Sequence, residues 1–321
     1  MARARGCISR SLSHVAHRPN LGSVAPVLDE EVVAVTGGSG FIGSALIRST
    51  QCRLSLLLRA PHPHTKVPHR AVTGRLETPS SFDEFLRGAR VLIHCASYIG
   101  SEPSRAHDVN DEGTRNLVRA AKDAGVSRII YVSTTGVYGS GPFHMASEST
   151  PARPSSVASR SRRRAERHVL EAGGLVLRPH LVVGRSDRHV VPSLVRALSL
   201  IGGTPRNPPK ASVIGVGALA SQIWSAVEDD DLTGVLHPHH GDPVSLAHLT
   251  DAVLPVGHPL RRVSPVSQNA ARTVLRRAGL SHHQLTMLLR DSTFTSRAEN
   301  RVSPGKMLTR ADREWYQGVV T

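Results

Sequence analysis

The residues best suited to chemistry by type and spacing lie early in the chain, at Thr36-Gly37-Gly38-Ser39-Gly40-Phe41-Ile42-Gly43. Gly37, Gly40 and Gly43 are spaced to give a tight bend, a close backbone approach to a pyrophosphate, and close helix–sheet packing. A helix opening at Phe41 presents free N–H groups and a positive dipole end to phosphates. Ser39, Phe41 and Ile42 therefore join the three glycines as candidate contacts. A glycine-rich turn alone is weak evidence, but this one follows an apolar run and opens a helical one, as the motif requires. A second feature follows it. The run Leu56-Leu57-Leu58 ends in Arg59, with no acid nearby. Sites for NAD place Asp or Glu there to hold the ribose 2′-hydroxyl. A guanidinium instead pairs with a 2′-phosphate through a charge-assisted fork, so these residues predict NADP(H).

The elements that must position these groups alternate. Val32–Thr36 is mostly β-branched, as expected for a strand buried on both faces, and Phe41–Arg48 reads as a helix. Leu54–Leu58 is a strand, Ser80–Leu86 a short helix capped by Ser80 or Ser81, Val91–Cys95 a strand, and Asp108–Ala124 a long helix. Arg128–Ser133 is a strand, Ser156–Ala172 a helix ended by Gly173 and Gly174, and Leu175–Arg178 a strand. Strands alternating with helices imply an α/β, Rossmann-type, doubly wound parallel sheet. The pattern loosens after Gly184. Val190–Leu200, Ser245–Val253 and Gln268–Ala278 read as helices. The expected organisation is a dinucleotide-binding domain over 31–184, with a strand and helix returning near 211–230. Residues 185–321 then form mainly a smaller substrate-binding lobe and C-terminal tail.

With 321 residues the chain can bury a large core. No run of 18 apolar residues exists, so no membrane span is expected. The formal charge is +15. Such a balance suits nucleic acid. Yet only four of the 40 cationic residues are lysine, and GC-rich coding produces that bias. The densest run, Arg160 to Arg167, falls on a predicted helix as a solvated face, so a nucleic-acid partner is not expected. Three cysteines, Cys7, Cys52 and Cys95, lack metal or disulfide spacing, which points to a reduced, cytoplasmic setting. Residues 1–29 are basic. They suit a transit peptide, a disordered tail or a start site read too early, and are set apart from the fold argument.

Beyond the glycines, several segments resemble the extended short-chain dehydrogenase/reductase family, the NAD-dependent epimerase/dehydratase group. These are Val91-Leu92-Ile93-His94-Cys95-Ala96-Ser97, the helix with Asn110, Gly113, Thr114 and Asn116, the run from Ile129 to Gly139, and Leu177-Arg178-Pro179 with Gly184. The resemblance implies cofactor contacts at Cys95, Ala96 and Pro179. It also implies hydride transfer assisted by a Ser/Thr, a Tyr and a Lys. Thr134, four residues before Tyr138, matches the Ser/Thr. On the helix that should carry Tyr-x-x-x-Lys, Ala158 stands for tyrosine and Arg162 for lysine, and no Tyr-x-x-x-Lys occurs anywhere in the chain. The third strand, which in the family ends Gly-Asp-Leu, reads Gly74-Arg75-Leu76.

Arg162 can hold ribose hydroxyls but cannot shuttle a proton, because its pKa exceeds about 12. Losing a general acid costs about 10²–10⁴ in rate. Orientation can supply about 7–11 kcal/mol, so a reductase survives if its substrate brings its own acid. In this the chain resembles atypical short-chain reductases of aromatic polyketide biosynthesis. That implies NADPH-dependent reduction of an angucyclinone ketone, with the small aromatic ketone assisting its own protonation. Ser97 and Thr134 could orient the carbonyl, or merely cap turns. Tyr98 could donate the proton, or wall the pocket. The rival reading is a non-catalytic NADP(H) sensor or regulator.

Overall fold

The computed structural model describes residues 32–60, 69–297 and 307–319; the basic extension 1–29 lies outside them. In chain order the first half runs β1 (Val32–Thr36), α1 (Phe41–Arg48), β2 (Leu54–Leu58), β3 (Arg70–Thr73), α2 (Phe82–Leu86), β4 (Ala89–His94), α3 (Pro103–Ala106), α4 (Gly113–Asp123) and β5 (Arg128–Val132). It continues with β6 (Phe143–Ala146), α5 (Val157–Glu171), β7 (Leu175–Leu177) and β8 (Leu181–Val183). Then come α6 (Val190–Ile201), β9 (Lys210–Ala211), β10 (Val213–Gly215), α7 (Val216–Glu228) and β11 (Gly234–Leu236). The last elements are β12 (Val244–Ser245), α8 (Leu246–Val253), α9 (Gln268–Arg277), α10 (His282–Leu289), β13 (Ser292–Phe294) and α11 (Arg310–Gln317).

Seven strands form one sheet in the order β11-β7-β5-β4-β1-β2-β3, and every pairing is parallel. The order reverses between β1 and β4, the crevice where α/β sheets bind ligands. Both faces are covered. Val33, Val35 and Ile93 pack towards α1 and α7 through Leu46, Leu219 and Ile223. Ala34, Leu92 and Tyr131 pack towards α2, α4 and α5 through Phe85, Leu117 and Val169. Two-sided burial explains why β2 reads Leu-Ser-Leu-Leu-Leu without alternation. Each buried leucine contributes about 1.5–3 kcal/mol. Its one polar residue, Ser55, donates to the Phe85 carbonyl at 2.6 Å and accepts from Arg70. This is a Rossmann-type fold.

After β7 the chain leaves this sheet and returns to it only at β11. It builds a two-stranded sheet (β8, β10) and a four-stranded one (β12-β9-β13-β6). Around them α6 and α8 share a core with Tyr316 of α11.

Three local expectations are corrected. The helix expected from Asp108 opens earlier, at Pro103, and passes through a wide π turn over His107–Glu112 before α4. That turn carries Asn110, which is buried and bonds Tyr98 in the segment after β4. Ser81 precedes α2 but makes no capping bond; its Oγ is buried and unpartnered among the described residues. The tail holds two further helices, α10 and α11, each opened by a reciprocal capping box, Ser281/Gln284 and Thr309/Asp312. Those boxes are the sequence signals that single out helix starts in a polar tail.

Candidate active site

Two concavities lie at the C-terminal edge of the sheet. The first is an open groove of about 910 Å³. It brings together Gly37, Ser39 and Gly40 of the turn, Arg59 after β2, and Cys95, Ala96, Ser97 and Tyr98 after β4. Arg75, Glu77 and Arg105 share its wall. Gly37 has φ +72°, and a Cβ there would lie 2.6 Å from the Ala96 nitrogen. Only glycine suits both the conformation and the approach. Gly43 does not face the groove. A Cβ on it would lie 2.2 Å from the Gly37 carbonyl oxygen, so it sets how closely α1 meets the turn. Phe41 and Ile42 pack their side chains on the core instead of the groove.

Behind the turn runs a polar chain. The Ala96 amide donates to Thr36 Oγ1 at 3.2 Å, Thr36 Oγ1 lies 2.6 Å from His94 Nδ1, and His94 Nε2 lies 3.0 Å from Thr114 Oγ1. A neutral ring protonated at Nε2 satisfies all three bonds. Burial, then the Arg162 charge, pushes the His94 pKa down to about 3, so the ring stays neutral. Burial pushes the neighbouring Cys95 thiol up to about 12, far from a reactive thiolate. Asn110 anchors the other rim. It accepts from the Tyr98 amide at 2.7 Å, donates to the Tyr98 carbonyl at 2.8 Å, and binds Ser161 of α5. Ser97 Oγ also reaches Asn110, at 3.2 Å. The Tyr98 ring lies under the Arg105 guanidinium, 5.1 Å from its centroid, and its hydroxyl accepts a long bond from the Glu102 amide.

The second concavity, about 400 Å³, holds Thr134, separate from the groove. Gly136, Ser140, Phe143, His180, His283 and Met287 also line it. Thr134 Oγ1 accepts from the Gly136 amide at 3.1 Å and so caps the following turn. Capping uses a lone pair and leaves the hydroxyl proton to donate. His180 Nδ1 lies 2.7 Å from Thr135 Oγ1, and His283 Nδ1 lies 3.2 Å from Ser140 Oγ. Burial, then His283 and His237, push the His180 pKa down to about 3; burial and His282 lower that of His283. Both rings are neutral near pH 7. Sequence reasoning missed them. His180 stood beside the noted Pro179, while His283 comes from α10, 149 positions after Thr134 in the chain.

Ala158 and Arg162 sit on the first turns of α5. Arg162 turns back towards the sheet and donates to the Val132 carbonyl at 2.6 Å. Its Nε and the Ser133 Oγ are buried without a partner among the described residues. An unmade buried bond costs about 1–3 kcal/mol, so these atoms suit a ligand that completes them. Pro179 is buried, and its carbonyl accepts from the Thr135 amide at 3.1 Å. Tyr138 is committed elsewhere. His237 Nδ1 donates to the Thr295 carbonyl, so its Nε2 accepts from the Tyr138 hydroxyl at 2.7 Å, and Arg178 donates to the same oxygen. Arg178 also forks onto buried Glu166, tying α5 to the sheet.

The family model described as the NAD dependent epimerase/dehydratase family matches residues 33–214. The chain belongs to that family. The quinoline relative in Stigmatella aurantiaca named 4-hydroxy-2-methyl-3-oxo-4-farnesyl-3,4-dihydroquinoline-1-oxide ketoreductase is 32% identical over 180 residues, 51% of this chain and 54% of that protein. Short-chain dehydrogenase/reductase family 42E member 1 of Bos taurus is 29% identical over 52% of this chain and 49% of its own length. The chain thus spans about half the length of these relatives. The dTDP-glucose 4,6-dehydratase DesIV of Streptomyces venezuelae, solved with NAD bound, superposes with TM-score 0.68 at 21% identity, covering 90% of this chain and 97% of that one. The cradle at Gly37 and the orphaned Arg162 Nε fit the dinucleotide that this family uses. No helix among the described residues is long and apolar enough to cross a membrane.

Proposed function

We propose that this chain is an NADP(H)-dependent ketoreductase that reduces a ketone on a polycyclic aromatic substrate of the angucyclinone kind. One observation carries the reading. Thr134, at the position of the family's carbonyl-orienting hydroxyl, stands on the wall of a cavity lined by Phe143, Met287 and neutral imidazoles, while alanine stands at the position of the family's general acid.

Gly37, Ser39 and Gly40, with the α1 N-terminus, would hold the pyrophosphate, and Arg59 the 2′-phosphate. Arg162 and Ser133 would complete the ribose and nicotinamide end with their unpartnered atoms. A bound reduced nicotinamide supplies the hydride. Thr134 donates to the ketone oxygen and orients it, and Ser97 and Tyr98 border the groove on the other side. The His180 and His283 rings, held neutral, offer hydrogen bonds without charge, as a neutral imidazole can at a polarised carbonyl. The proton comes from a hydroxyl beside the ketone on the substrate itself, and the resulting oxyanion is reprotonated from water. The Stigmatella relative supports this, because the substrate in its name carries a 3-oxo group beside a 4-hydroxyl. The small-molecule ketone is the only partner this reading requires, and the chain works in the cytoplasm.

The missing general acid also favours a second reading, a dinucleotide sensor without chemistry. NADPH absorbance separates the two. Oxidation with hydroxyl-bearing polycyclic ketones, and none with their methyl ethers, is the expected result. No oxidation with either set, while NADPH still binds, selects the sensor.

A further inference from the structure

The third strand reads Gly74-Arg75-Leu76, and the structure gives this arginine a place. Strands β2 and β3 end side by side, with Leu58 in register with Thr73 and the Gly74 amide donating to the Leu58 carbonyl at 2.9 Å. Neighbouring strands lie about 4.8 Å apart. The residues leaving the two ends are therefore Arg59 and, just past Gly74, Arg75. Both line the groove that contains the glycine turn.

The departure point of Arg75 is tightly set. A Cβ on Gly74 would lie 2.1 Å from Ser81 Oγ and 2.8 Å from Leu57 Cδ1, so the backbone is pressed against its neighbours there. Leu76, on the other side, is buried in the core beneath α2 and α4. Arg75 itself is exposed, and neither it nor Arg59 has an ion pair among the described residues. Arg105 also lines the groove, and Glu77 is the one carboxylate on its wall among the described residues. Three guanidiniums facing one carboxylate suit a ligand richer in phosphate than a plain dinucleotide. A phosphate monoester carries about −1.5 to −2 charges and three acceptor oxygens, enough for two forks at once.

We propose that Arg75 is the second half of a two-guanidinium clamp that, with Arg59, grips a 2′-phosphate on the adenosine end of the bound dinucleotide. The inference rests on the NADP(H) reading above and makes Arg75 a specificity-determining residue. An acid at this position would repel the phosphate, whereas arginine pairs with it.

The test uses the full chain and two small probes that differ only at the 2′ position, adenosine 2′,5′-bisphosphate and adenosine 5′-monophosphate, titrated by calorimetry. The wild type is expected to bind the 2′-phosphorylated probe about 100-fold tighter, the product of two charge-assisted contacts at about tenfold each. Arg75→Ala should weaken that probe about tenfold and the other less than about threefold. Arg75→Lys keeps the charge but not the fork, and should fall between wild type and alanine. A selectivity loss in Arg59→Ala with none in Arg75→Ala overturns the clamp while leaving the NADP(H) reading standing. Equal loss for both probes in Arg75→Ala overturns it too, pointing to a role in the adenine pocket. Equal binding of both probes by the wild type overturns the NADP(H) reading and the clamp together.

Discussion

The groove at Gly37 and the cavity at Thr134 sit on the same sheet edge but are built differently. The groove's wall comes from the ends of four adjacent strands, β1 to β4, and the segments that follow them, with Ser39, Arg59, Arg75 and Ala96 each a few residues from a strand. The cavity draws on the turn after β5, the residue after Pro179, and helix α10 with the start of β13. The first is a property of local motifs on a repeating scaffold. The second exists only once distant segments meet. On the proposed function, dinucleotide binding falls to the first region and the ketone to the second, each with its own sequence origin.

Several measurements would sharpen or break this contrast. Gly37→Ala should have the largest effect. A left-handed residue with a Cβ 2.6 Å from Ala96 N must displace the turn, and dinucleotide affinity measured by fluorescence should fall roughly 1,000-fold. A loss under about threefold would show that the turn does not hold the ligand. Thr134→Val should lower kcat about 100-fold with dinucleotide affinity unchanged, and Thr134→Ser should restore most of it. A parallel loss of dinucleotide binding would merge the two regions into one. His283→Ala should raise the ketone KM about tenfold and spare dinucleotide binding, because its ring lines the cavity alone. The smallest effect concerns pH. The folded pKa of His94 lies near 3, below its ordinary 6.5, so the unfolded chain binds more protons between those values. The stability this contributes is present above about pH 6.5 and is lost as pH falls towards 3. His94→Asn should flatten the denaturation midpoint against pH in that window. An unchanged slope would mean that the ring is not held neutral behind the turn.

Most of the sheet was legible because its signals are local. β1, α1 and β2 fall on the residues that periodicity predicts, since two-sided burial requires unbroken apolar runs. The loss of the general acid was equally legible, because it is a statement about residue types at Ala158 and Arg162. The fate of Arg162 was not. Its sequence position suits a ribose, but only the packing against β5 decides that its guanidinium folds back to the Val132 carbonyl and leaves Nε without a partner among the described residues. Nor does spacing reveal that the Tyr138 oxygen is bound by His237, 99 residues on, and by Arg178.

By itself the sequence determined the strand–turn–helix cradle, the arginine at the end of β2 and the absence of a Tyr/Lys pair. These depend on residue identity and on spacings of a few residues, which the chain carries wherever it folds. Only the tertiary structure decided that Arg75 shares a groove with Arg59, and that His180 and His283 share a cavity with Thr134. Those neighbours are set by strand register and by helices docking from the far end of the chain, and proximity of that kind arises from packing a common core.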